Sequence, residues 1–136
     1  PYRNETFSAT KGGGAFKNGE RIHASERTLA EGLVIFGTAP YYEELKRKTF
    51  ETAYRYFSAA EDLRRSGSAA IDLCNVACGR AEMFFEMILC PWDYAAGALI
   101  VEEAGGYVSD LDGNPQTYDN KQTEPARGPG VELLKC

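Results

Sequence analysis

The chain has a single histidine, His23, and that scarcity excludes a good deal of chemistry. A Ser/His/Asp set needs an imidazole beside the nucleophile, and His23 lies in a region that reads as hairpin. No spacing places it beside a cysteine either. Zinc is disfavoured on the same ground. Cys74 and Cys78 stand four apart on one face of an expected helix, but no second pair of Cys or His accompanies them. The four cysteines, Cys74, Cys78, Cys90 and Cys136, therefore read as small reduced hydrophobes, which suits a cytoplasmic protein. The chain lacks the run of about 18 apolar residues that a membrane span needs. It opens with no signal peptide. A basic excess is missing too: 15 Lys and Arg against 20 Asp and Glu leave a net charge of −5, which argues against nucleic acid as the partner. There is no initiating Met. The chain begins Pro1-Tyr2-Arg3, which suggests a processed or partial polypeptide.

What is present fits one globular unit. The length of 136 residues, 43% hydrophobic and 26% charged content are those of a single domain with a real core. No repeat, low-complexity tract or linker divides it. Residues 1–25 read as antiparallel hairpin strands, near 6–10, 14–17 and 20–24, with Asn18-Gly19 as a turn dipeptide. Gly12-Gly13-Gly14 lacks the Lys-Ser/Thr and the helix of a phosphate loop, so a turn or bulge is the better account. Residues 26–136 read as an α/β layer. Gly32–Gly37 is a buried strand between glycines. Pro40 opens a helix to about Ala59, in which Leu45, Phe50, Ala53, Tyr54 and Phe57 recur at helical spacing and read as a core face. Asp62–Gly67 is a strand leading to a turn, and Ser68 an N-cap for a helix over 69–79 ended by Gly79. Glu82–Met87 is a strand, 91–104 a helix closed by Gly105 or Gly106, and Tyr107–Ser109 a short strand. Asp112-Gly113 is a turn, 123–130 a loop, and Val131–Lys135 a last helical turn. Strands alternating with helices give a mixed α/β fold, with some antiparallel sheet at the start.

Three features fall where a strand ends or a helix begins, the place where open α/β sheets bind ligands. Gly67-Ser68-Ala69-Ala70 is a small-residue turn into a helix. It would let a ligand approach closely and offer it N–H groups, or it is an ordinary serine cap. Glu86 ends an apolar strand, where a carboxylate is either solvated at the sheet rim or bonded to a polar ligand. Asp93 opens a helix that carries no charge from Tyr94 to Val101. It either caps that helix or points into a cleft and holds a hard cation such as Mg²⁺. Glu102 and Glu103 sit where the helix dipole disfavours negative charge and read as surface residues or as partners of a cation.

Trp92-Asp93-Tyr94-Ala95-Ala96-Gly97 followed by Glu102-Glu103-Ala104-Gly105-Gly106 resembles the second signature of the inositol monophosphatase family. Lys11-Gly12-Gly13-Gly14-Ala15-Phe16, Asn18-Gly19 and Arg65-Ser66-Gly67-Ser68-Ala69-Ala70 match the same family in the same order, so the resemblance covers nearly the whole chain. It implies the layered αβαβα sugar-phosphatase sandwich and Mg²⁺-dependent hydrolysis of a phosphate monoester of a small polyol or sugar. By resemblance Asp93 is a metal ligand that also touches substrate, Gly67, Ser68 and Ala69 form a substrate-contact loop, and Glu86 receives sugar hydroxyls. The family's first signature, Asp-Pro-Ile-Asp-Gly-Thr, and its earlier metal-binding Glu are absent. The resemblance is thus to the C-terminal half of such an enzyme. The remaining catalytic groups are expected in the other half, the chain alone is expected to be inactive, and the full-length enzyme is expected to be a homodimer. The other class is a non-catalytic binding or assembly module derived from that half. A lone half is also expected to expose apolar surface and to self-associate.

Overall fold

A computed structural model describes residues 3–111, 113, 114, 131 and 132. Its first part follows from turn chemistry. Strands β1 (Phe7–Thr10), β2 (Gly14–Lys17) and β3 (Glu20–Ile22) form an antiparallel sheet in the order β1-β2-β3. Asn18 and Gly19 carry φ of 52° and 83°, the positive pair that a two-residue hairpin turn of matching twist requires. The triple glycine is a turn, with Gly12 and Gly14 at φ of 75° and 91°.

After a short 3₁₀ turn (Leu29–Glu31) come β4 (Leu33–Phe36), helix α1 (Glu43–Phe57), β5 (Asp62–Arg64), helix α2 (Ala69–Ala77), β6 (Met83–Glu86) and helix α3 (Pro91–Glu103). Parallel β5, β4 and β6 form a second sheet, and β7 (Val131–Glu132) closes it in the order β5-β4-β6-β7. Side chains of β4 and β6 alternate between two cores, as a sheet covered on both faces demands. Ile35 and Phe84 join Leu73, Val76, Tyr94, Ala98 and Val101 of α2 and α3. Val34, Met83 and Phe85 join Ala53 of α1. Helix α3 packs on β1 and β2, α2 packs on α3 and β6, and α1 packs on β4 and β5. The described residues thus stack as sheet, helices, sheet, helix.

Four expectations depart from the structure. Helix α1 begins at Glu43 rather than Pro40, because Ala39 at φ of 41° turns the chain first. Its face toward the sheet is Leu45, Thr49, Ala53 and Tyr56, whereas Phe50, Tyr54 and Phe57 are 60%, 71% and 54% exposed. The aromatic series is rotated by about one residue, roughly 100°, from the core line. Val131 and Glu132 are strand, not helix, because they pair antiparallel with Glu86 and Phe85 along an otherwise open sheet edge. Within Tyr107–Ser109 only Ser109 makes an isolated bridge. Asp112, residues 123–130, residues 133–135 and Cys136 lie outside the described residues.

Candidate functional site

The C-terminal ends of β4, β5 and β6 open onto one cleft of about 490 Å³. The segment after β4 brings Gly37, Thr38, Pro40 and Tyr41. The segment after β5 and the first turn of α2 bring Arg65, Gly67, Ser68, Ala69, Ala70 and Asp72. The end of β6 and the start of α3 bring Glu86, Leu89, Trp92 and Asp93. All five residues singled out from the sequence, Gly67, Ser68, Ala69, Glu86 and Asp93, therefore line the same cavity.

Asp93 is exposed at the third position of α3, with its Oδ2 accepting a hydrogen bond from the Cys90 N–H at 3.2 Å. This is the reach-back half of a capping box, so Asp93 caps the helix from inside rather than as its N-cap residue. The bond is long and occupies one oxygen, leaving carboxylate capacity toward the cleft. A hard cation is commonly held by one or two carboxylates with water and substrate phosphate, and Asp93 fits such a ligand. Among the described residues no group of three or more His, Cys, Asp or Glu is arranged to hold a metal.

Glu86 is half-buried at the end of β6. Burial above all raises its carboxyl above the ordinary value, and the carboxylates of Asp93 and Asp72 add to this, while the Ala39 N–H and Arg65 work against it. Its carboxylate lies against Gly37, where any Cβ would collide with Oε2. Gly37 in turn donates its N–H to the Phe85 carbonyl at 2.9 Å. A glycine at this point is what lets a carboxylate sit over the end of β4.

The Gly67–Ala69 turn differs from the expectation in one respect. Ser68 occupies the N-cap position of α2 with extended backbone, but its hydroxyl makes no capping bond. The Ser66 hydroxyl is engaged beside it. It accepts from the Ser68 N–H at 3.3 Å and donates to Asp72 Oδ1 at 2.6 Å. Asp72 is 1% exposed, and burial raises its carboxyl above the ordinary value against the pull of Ser66 and Arg65. Sequence reasoning missed Asp72, Arg65 and Gly37. The signal for Asp72 was a carboxylate four residues after Ser68, in the first turn of a helix otherwise apolar on its inner side. Arg65 donates from Nε to Thr38 Oγ1 at 3.1 Å and is the one cation among the described cleft residues.

Glu103 is neither a free surface residue nor held chiefly by a cation. Its two oxygens accept from the Gly12 and Gly14 N–H groups at 2.6 and 2.7 Å, which hold its carboxyl below the ordinary value. The end of α3 thereby fastens the glycine turn. Burial pushes the Cys74 thiol up to about 11, as suits an inert packing residue, and Cys74, Cys78 and Cys90 are free. His23 is exposed and does not line the cleft.

The sequence model of the inositol monophosphatase family matches residues 1–131. Nus factor SuhB of Escherichia coli K12 is 46% identical over 118 residues, which cover 83% of this chain and 43% of that protein. Phosphatase IMPL1, chloroplastic, of Arabidopsis thaliana is 44% identical over 113 residues, 82% of this chain and 30% of its own length. Among solved structures, extragenic suppressor protein suhB from Bartonella henselae superposes with a TM-score of 0.84 at 31% identity, covering 98% of this chain and 48% of that one. Inositol monophosphatase from Anabaena superposes with a TM-score of 0.81 at 32% identity, covering 99% and 51%. The chain spans less than half the length of these curated relatives.

Proposed function

The chain belongs to the inositol monophosphatase family, and from that premise we propose that it is part of a Mg²⁺-dependent phosphatase acting on the phosphate monoester of a small polyol or sugar. One observation carries the reading. The cleft at the strand ends gathers Asp93, Glu86 and the Gly67–Ala69 turn around a single volume. In this reading Asp93 holds the cation and the substrate phosphate lies beside it. The bound ion supplies positive charge next to the phosphoryl group. Glu86, once ionised, accepts hydroxyl hydrogens of the polyol from its position against Gly37. Gly67 and Ala69 leave room for close approach, and the uncapped Ser68 hydroxyl is free to bond a substrate oxygen. The remaining metal ligands and the groups that activate water come from the part of the longer protein beyond this chain, so the chain alone does not turn over substrate. A net charge of −5 argues against nucleic acid as the partner. Free thiols support a cytoplasmic protein. The full-length enzyme is proposed to act as a homodimer.

Phosphate release tests this. The longer protein should hydrolyse a polyol phosphate only with Mg²⁺ and lose at least about 100-fold in rate on Asp93→Ala, as expected when an ion worth several kcal/mol is weakened. The chain of 136 residues should release none. Turnover by this chain alone, abolished by Asp93→Ala, would overturn its proposed incompleteness. Several relatives named Nus factor SuhB favour a second reading, a binding or assembly module. A longer protein with no turnover on any polyol or sugar phosphate would favour it.

A further inference from the structure

Asp72 is a carboxylate in a place that disfavours carboxylates. It is 1% exposed, and an ionised group so placed costs several kcal/mol unless hydrogen bonds offset it. Its bonds converge on one short segment. Oδ1 accepts the Ser66 hydroxyl at 2.6 Å and the Ser66 oxygen accepts the Ser68 N–H at 3.3 Å, while the Asp72 N–H, 2.9 Å from the Ser68 carbonyl, makes the ordinary first backbone bond of α2. The Asp72 carboxylate therefore holds Ser66 directly and, through the Ser66 oxygen, the Ser68 N–H on the other side of Gly67. That glycine stands at φ of 95°, a backbone state with little intrinsic preference behind it, so something else must hold the turn. The Ser68 side chain makes no cap bond to α2.

We propose that Asp72 is a positioning residue: acting through Ser66, it fixes the Gly67–Ser68 turn so that the Ser68 hydroxyl faces the cleft and stays uncommitted until a substrate oxygen arrives. This rests on the phosphatase reading for the identity of the substrate, but not for the geometry. The pattern of bonds distinguishes it from simple helix capping. A cap needs one side-chain oxygen on an N–H of the first turn. Here a buried acid reaches backward to a serine outside the helix, and the bonds end at a residue that lines the cleft.

Two measurements test it, with three variants. Asp72→Ala and Ser66→Ala remove the link, whereas Asp72→Asn keeps an acceptor oxygen for the Ser66 hydroxyl. Ser66 is exposed, so Ser66→Ala leaves the core intact. In the longer protein, KM for a polyol phosphate should rise by about 10-fold in both disrupting variants, the loss of roughly one hydrogen bond, with kcat within about 2-fold. Asp72→Asn should restore most of the KM. Separately, amide hydrogen exchange at Ser68 should quicken in Asp72→Ala and Ser66→Ala, and stay near wild type in Asp72→Asn. A lowered melting temperature with unchanged KM and unchanged Ser68 exchange would overturn the proposal. So would an Asn variant as impaired as the Ala variant. If the wild-type longer protein shows no phosphatase turnover, the phosphatase reading fails while the exchange measurement still decides whether Asp72 positions the turn.

Discussion

Glu86 places a carboxyl group in the cleft where burial disfavours its charge. Its carboxyl is held above the ordinary value, first by burial and then by the Asp93 and Asp72 carboxylates. A raised folded value means that the native chain keeps a proton at pH values where the unfolded chain has released it. Stability therefore falls as pH rises from the usual carboxylate range through the raised value. At neutral pH Glu86 is a cost to the fold. Glu86→Gln should make the protein more resistant to denaturant at neutral pH, and that gain should vanish in acid, where the wild-type carboxyl is protonated in both states. The same variant should raise KM for a polyol phosphate by about 10- to 100-fold, since a hydrogen bond to a charged group is worth about 1.5–3 kcal/mol. Denaturation curves at two pH values and steady-state kinetics check both halves. A Gln variant less stable at neutral pH would mean that the bond from Ala39, not burial, dominates the environment of this residue.

Elements were legible in the sequence where their causes are local. The hairpins follow from Asn18-Gly19 and the glycine turn, and α3 from Pro91 at its first position and an uncharged run behind it. Placing Ser68, Glu86 and Asp93 at element ends was enough to bring them to one cleft, because parallel strands put such ends side by side. What the sequence hid depends on distant partners. Asp72 looks like a first-turn helix acid until burial and Ser66 define it, and β7 exists only because β6 offers it an edge. Phe50, Tyr54 and Phe57 stand roughly 100° around the helix from the core line, so grouping them with Leu45 and Ala53 spanned too wide an arc for one buried face. The closeness of α2 and α3 is likewise a tertiary fact. A Cβ on Gly97 would stand 2.6 Å from Leu73 Cδ1 and 2.7 Å from its Cβ. The first can rotate away, but the second is fixed to the α2 backbone. Gly97→Ala should thus lose about 1–3 kcal/mol to overpacking and regain about 1 kcal/mol in helix propensity. Chemical denaturation should show a net loss of up to about 2 kcal/mol. A net gain would mean that the two helices can separate freely.

At the scale of the whole molecule, large hydrophobic side chains stand exposed on α1 and beside the cleft. Phe50, Tyr54 and Phe57 form a stripe along α1, and Tyr41 and Trp92 are 94% and 81% exposed beside the cleft. Next to α1, β5 is the end strand of its sheet among the described residues. Its sequence Asp62-Leu63-Arg64 is self-complementary: two copies paired antiparallel about Leu63 would set each Asp62 opposite an Arg64, a favourable cross-strand pair. An open edge and an aromatic stripe on adjacent elements make a surface suited to a second copy of the chain. Sedimentation of the isolated chain should therefore show dimers or larger species at micromolar concentration. The double substitution Phe50→Glu with Tyr54→Glu should shift it to monomer. It should change the unfolding free energy by only about 0.5 kcal/mol, because both side chains are exposed before substitution. Mild salt should not dissolve the wild-type assembly, since its contact is apolar at the stripe and only rimmed by charge. A wild-type chain that sediments as a monodisperse monomer and melts cooperatively would show that α1 and β5 do not suffice to hold two copies together. A double variant that still assembles would place the contact elsewhere, with the exposed face around Trp92 and Tyr41 the next to substitute.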